Sequence, residues 1–179
     1  MSETYTVVLL VEQALSAVDA AQVRSLHEGL DEPVAYHVLL PMEDAAARVE
    51  AAMGSLGSDS FNTATTLPVD PEQLETARRD SEQESETALS KTLKALRAAG
   101  ATADGEIVSD DPVEALRDCV AKVDAREVII LTRSHVVSEF FHMDWTSRAR
   151  RKLGVPVLHL LERENFDEQA GAGEGVTGL

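Results

Sequence analysis

The run Glu127–Thr132 (Glu-Val-Ile-Ile-Leu-Thr) is apolar at consecutive positions, not alternate ones, and this limits the folds open to the chain more than any other feature. A strand of this kind has to be covered on both faces, as in a parallel sheet flanked by helices. Thr6–Val11 (Thr-Val-Val-Leu-Leu-Val) repeats the pattern near the N-terminus and reads as strand one. Val34–Leu40 reads as strand two, ended by Pro41. Thr102–Val108 is a weaker third strand, 127–132 the fourth, and Val155–Leu161 the fifth.

Helical segments separate these runs. Ser16–Leu30 carries Val18, Ala21 and Leu26 among charged residues, with Gly29 near its end as a stop. Residues 43–53 are Ala-rich and predict a short helix, whereas Gly54–Asp70 collects Gly, Ser, Asn, Thr and Pro and predicts a loop. Pro71–Ala99 is dominated by helix formers, places Leu89, Leu93 and Leu96 at spacings of four and three, and meets a C-terminal cap at Gly100. Asp110-Asp111-Pro112-Val113-Glu114 is a helix start, with Asp111 as cap, Pro112 in the first turn and Glu114 as the carboxylate of a capping box. The helix it opens carries Val113, Leu116, Val120 and Val123 on one stripe, and a short helix through Arg148–Leu153 stops at Gly154. Strands alternating with helices imply an α/β fold, a five-stranded and mainly parallel sheet with helices on both faces. Ligands of such sheets bind at the carboxyl ends of strands where the order reverses, here Val11–Gln13 and Thr132–His135.

Charge narrows the partners. Lys and Arg number 16 against 32 Asp and Glu, a formal net charge of −16, so the average field repels phosphate backbones and anionic lipid. Neither nucleic acid nor a membrane surface is expected as a partner. No apolar run approaches the roughly 20 residues that span a bilayer, and Met1-Ser2-Glu3-Thr4 lacks the start of a secretory signal, so a cytoplasmic location is expected. The one cysteine, Cys119, can form neither an internal disulfide nor a cysteine-based zinc site, in agreement with a reducing compartment. Residues 1–162 are expected to form one domain, and the polar Gly- and Glu-rich tail 163–179 to be disordered.

Residues 105–161 resemble the C-terminal half of a universal stress protein: strand, Asp-Pro, amphipathic helix, apolar strand, loop, short helix and a last strand of the Val-Pro-Val-Leu type. The order of elements in residues 5–100 fits as well, so the resemblance covers 5–162, more specifically in its second half than in its first. It implies the Rossmann-like three-layer fold of the adenine nucleotide alpha hydrolase-like group, a dimer in which the last strand, Val155–Leu161, pairs with its copy, and ATP as a ligand of some members. ATP-binding members carry a glycine signature after strand four: Gly, two residues, Gly, nine residues, then Gly followed by Ser or Thr. At those positions this chain has Thr132, His135, Trp145 and Thr146, with the spacing intact and all three glycines replaced. Glycine lets backbone amides approach phosphate oxygens and adopt positive φ, a freedom that a side chain removes. Such members also tend to have Asp then Gly-Ser at the end of strand one, where this chain has Val11-Glu12-Gln13-Ala14. ATP in the family's usual pose is therefore not expected. No cofactor is assigned, with ATP or another adenine nucleotide as the alternative.

Other constellations carry less. His135, Glu139 and His142, with Asp144 nearby, have helical metal-ligand spacing, but histidines near a cleft ordinarily have hydrogen-bond partners, and no metal is assigned. Arg148, Arg150, Arg151 and Lys152, with Arg133, can attract an anion, although cations in the last turn of a helix ending at Gly154 more simply complement its carbonyl end. Phe140, Phe141, Met143 and Trp145 are expected to fold inward and fill the vacated site. Ser134, Ser138 and His135 lack the elbow and base of a nucleophilic site, and Cys119 reads as a packing residue. The leading expectation is a non-catalytic regulatory or interaction module, homodimeric and with unidentified protein partners. The second is a nucleotide or small-anion site built from side chains of Glu12, Arg133, His135 and Thr146. An enzyme of the wider hydrolase-like group ranks last, because a Ser-Gly-Gly-type pyrophosphate loop is missing after strand one.

Overall fold

The computed structural model describes residues 4–42, 70–109, 112–132 and 151–161. Its strands are β1 (Tyr5–Val11), β2 (Val34–Pro41), β3 (Thr102–Val108), β4 (Glu127–Thr132) and β5 (Val157–Leu161); its helices are α1 (Ala17–Ser25), α2 (Pro71–Ala98) and α3 (Pro112–Val123). The strands form one sheet in the order β3-β2-β1-β4-β5. Every neighbouring pair is parallel, which sharpens the expectation of a mainly parallel sheet.

Alternation along the strands divides the core in two. Val7, Leu9, Val11, Tyr36, Val38, Ile129, Leu131 and Leu160 face one side, where Ala20 and Val23 of α1 and Leu96 of α2 meet them. Val8, Leu10, Leu39, Val128, Ile130 and Val157 face the other, under Leu116, Cys119 and Val120 of α3 and Leu153 of the helical turn 151–153. Helices therefore lie on both faces, and the central strands are buried throughout, as consecutive apolar positions require. Leu89 and Leu93 pack against the first core, so the α2 stripe points where its spacing implies.

Helix ends follow local chemistry. Gly100 and Gly154 take φ values of +82° and +69°, the left-handed conformation that terminates a helix without a Cβ penalty. Asp124 adopts φ +49° after α3, and the Ala125 amide closes onto the Val120 carbonyl at 3.0 Å. Of the start predicted for α3, Asp110 and Asp111 lie outside the described residues; Glu114 holds Arg117 Nη2 at 2.9 Å. Residues 43–69, 133–150 and 162–179, and with them the helix at 43–53, the loop after it and the tail, also lie outside the described residues.

Three boundaries differ from the sequence expectation. α1 ends at Ser25, short of Leu30, because the buried His27 ring turns in to Tyr36, and 26–30 close as turns. β2 runs through Pro41, one residue past the expected stop: β1 has already parted from β2 there, so the ladder bond that proline lacks is not needed. β5 begins at Val157 instead of Val155, because Pro156 has no amide to donate and enters the ladder only by its carbonyl, which accepts from the Val128 amide at 2.9 Å. Among the described residues, no helix is long and apolar enough to cross a membrane.

Candidate functional site

β1 leads through β2 to β3 on one side of the sheet, and β4 and β5 lie on the other. The strand order thus reverses between β1 and β4, where an α/β sheet opens a crevice at its carboxyl edge. The last pair between these strands is Val11 with Leu131, so Glu12 and Thr132 follow side by side at the edge, as their sequence positions imply. Glu12 is half-buried and Thr132 is buried. Arg133, His135, Trp145 and Thr146 lie outside the described residues, as do the aromatic cluster at 140–145 and the His135, Glu139 and His142 spacing.

Thr132, which the resemblance aligns with the first glycine of the signature, is engaged through its side chain. Its Oγ1 and Nε2 of His159 on β5 lie 2.8 Å apart. Burial pushes the His159 pKa below its ordinary 6.5, which keeps the imidazole neutral. The hydroxyl is thereby held within the sheet.

The loop leaving β1 is tied down as well. The Leu15 amide donates to Thr92 Oγ1 on α2 at 3.1 Å, and that hydroxyl donates to the Ala88 carbonyl at 2.9 Å. Ser16 caps α1: its Oγ accepts from the Asp19 amide at 3.1 Å, and the Asp19 carboxylate accepts from the Ser16 amide at 3.2 Å. Asp19 is only 2% exposed. A helix N-terminus bordering a crevice ordinarily offers unsatisfied amides and a positive dipole end to an anion. Here a buried carboxylate of the chain itself occupies that end, and an incoming phosphate meets like charge. Sequence reading missed Asp19, although a serine followed three residues later by an acidic side chain is the capping-box pattern.

The cations of the last helix split at the boundary of the described region. Arg151 and Lys152 are exposed, and Lys152 Nζ reaches Glu114 Oε1 at 3.9 Å, a surface pair worth little. Cys119 is buried under α3 with its pKa pushed up to about 11, chiefly by desolvation, so it packs as a neutral thiol in this arrangement.

No family model and no curated relative matches the sequence. Solved structures do match in fold. Universal stress protein UspA from Lactobacillus plantarum superposes with a TM-score of 0.53 at 13% identity, over 88% of this chain and 99% of that one. A universal stress protein family protein from Arabidopsis thaliana, solved with AMP bound, gives 0.50 at 13% identity over 91% and 94%. The universal stress protein from Archaeoglobus fulgidus gives 0.50 at 14% over 87% and 93%. At such identities the likeness concerns architecture, and it agrees with the strand order, the parallel pairing and the helices on both faces. The chain resembles the universal stress proteins and has their five-stranded parallel α/β fold.

Proposed function

We propose that the chain is a non-catalytic, cytoplasmic regulatory or interaction module of the universal stress protein type, whose crevice does not take ATP in that family's usual way. The observation that carries this reading is the buried Asp19 carboxylate at the amide end of α1. The Leu15 amide committed to Thr92 and the Thr132 hydroxyl committed to His159 support it, because each removes a group that a phosphate needs free. A second reading, an adenine nucleotide or small anion held by side chains of Glu12, Arg133, His135 and Thr146, draws support from the AMP in the Arabidopsis neighbour.

Thermal unfolding of the full chain with ATP, ADP and AMP, each with and without Mg²⁺, separates the two. A ligand of the native state at a hundred times its dissociation constant raises stability by about 2.7 kcal/mol. The first reading expects no saturable shift with any of them. A saturable shift with ATP overturns it, and one confined to AMP supports the second reading.

The same proposal includes a homodimer. Among the described residues β5 has one strand neighbour, β4, at the edge of the sheet, and a sheet edge calls for a cover. Sedimentation at micromolar concentration should give twice the chain mass, whereas a monomer rejects pairing through Val157–Leu161.

A further inference from the structure

Among the described residues, one group of metal-type donors stands away from the crevice. It is on the α3 side of the sheet, at the edge formed by β2 and β3. His37 on β2 is paired in register with Asp104 on β3, and Leu39 with Glu106, so the two carboxylates flank the imidazole. Cys119 on α3 closes the group from above. One donor atom each of His37, Glu106 and Cys119 lies within 4.8 Å of the other two.

The imidazole is oriented as a ligand is oriented. Asp104 Oδ1 lies 2.6 Å from Nδ1, a contact that fixes the ring with Nε2 turned toward Glu106. A carboxylate behind the far nitrogen is the usual support of a metal-bound histidine, where it fixes the tautomer and raises basicity. Nε2 in turn faces Glu106 Oε1 at 3.4 Å. The separation suits a metal: ligands about 2.05 Å from a tetrahedral zinc are about 3.3 Å apart. Cys119 supplies the third donor, a soft one, within 4.8 Å of the other two.

Access is present too. A groove between β3 and α3, lined by Glu106, Cys119, Asp118 and Lys122 among others, leads to the group. The side chains of His37 and Glu106 are 14% and 44% exposed, so an ion can enter although the thiol is buried. Lys122 Nζ now sits 3.2 Å from Glu106 Oε1 and supplies the positive charge that this carboxylate faces.

We propose that His37, Glu106 and Cys119, with Asp104 behind His37, form a binding site for a zinc-type divalent transition metal. Imidazole, carboxylate and thiolate are a donor set for borderline dications, with a fourth position left to water. On binding, the Cys119 thiol releases its proton to solvent, the sulfur lone pair goes to the metal, and the Lys122 ammonium withdraws from Glu106. One thiolate and one carboxylate then balance the dication. No short spacing links positions 37, 106 and 119, and a chain with one cysteine needs His and Glu to complete such a site.

Cobalt(II) titration of the reduced full chain tests the proposal, because a cobalt–thiolate bond adds an intense near-ultraviolet band and the chain has one cysteine. Outer donors elsewhere cannot produce it. The wild-type protein should develop the band, and zinc should abolish it. Cys119→Ser should remove it, His37→Gln and Glu106→Gln should weaken cobalt binding at least about tenfold, and Asp104→Asn by about 10–100-fold. Lys122→Met should tighten binding, an effect that a purely structural role for these residues does not produce. Circular dichroism verifies that each variant is folded. A folded wild-type protein without the band at saturating cobalt overturns the proposal, as does a band whose affinity is unchanged in both His37→Gln and Glu106→Gln.

Discussion

Thr132 and His159 meet across β4 and β5, Oγ1 to Nε2 at 2.8 Å, at the edge where the crevice begins. The contact ties the end of β4 to the edge strand β5. It also places a half-buried imidazole where protonation has consequences.

Acid should therefore weaken the fold through His159. Burial holds its folded pKa below the ordinary 6.5, so in acid the unfolded chain binds the proton more readily. The contribution is full above about pH 6.5 and is lost as the pH falls through the depressed value. Urea midpoints measured from neutral to mildly acid pH should decline in the wild type and decline less in His159→Gln. Equal slopes for the two proteins reject the assignment.

Thr92 is completely buried and holds the loop after β1 by accepting from the Leu15 amide. Thr92→Val keeps the shape and removes the acceptor, leaving a buried amide unsatisfied, at about 1–3 kcal/mol. Denaturant unfolding measures the loss, and hydrogen exchange should localise it to the Leu15 amide.

β3 lies tight against β2 at Gly105. A Cβ there would stand 2.5 Å from the Val38 carbonyl oxygen and 2.8 Å from Val38 Cβ, with Leu89 Cδ1 at 3.1 Å. Backbone cannot yield as a flexible side chain does, so Gly105→Ala should destabilise by about 1–3 kcal/mol. Gly29→Ala is the control, since nothing lies within 4 Å of its added methyl, and its change should stay within about 0.5 kcal/mol.

Tyr36 is 1% exposed and shares a 2.8 Å hydrogen bond with His27 Nδ1, while its hydroxyl donates to the Val23 carbonyl at 3.3 Å. Burial raises its pKa from 10.0 to about 12. The folded state thus keeps the phenolic proton longer than the unfolded one, and stability from this group is full below pH 10 and lost between 10 and about 12. Tyr36→Phe should lose about 0.5–1.5 kcal/mol at neutral pH and show a shallower alkaline decline. Unfolding midpoints across the alkaline range check both parts.

Much of the architecture was legible in the residues because it rests on short-range rules. Glu127–Thr132 and Thr102–Val108 are strands with the expected bounds, and Gly100 and Gly154 stop their helices by adopting the conformation that only glycine takes without strain. The misplaced boundaries have longer-range causes: α1 stops early because of a contact with β2, and Pro41 is admitted because β1 has already diverged. Of the candidate site, Glu12 and Thr132 were legible as strand ends, and Ser16 with Asp19 could have been. The bond from Leu15 to Thr92 could not, since no pattern within a few residues links them.

The sequence by itself determined where the described strands lie, that helices alternate with them, and that the sheet is mainly parallel. These follow from periodicity, turn chemistry and residue identity, whose effects reach only a turn or two along the chain. Only the tertiary structure decided the order β3-β2-β1-β4-β5, and with it the placing of Glu12 beside Thr132, His159 against Thr132, and His37 between two carboxylates under Cys119. Such meetings depend on which strands lie side by side, and that is settled by how all the apolar faces can be buried at once.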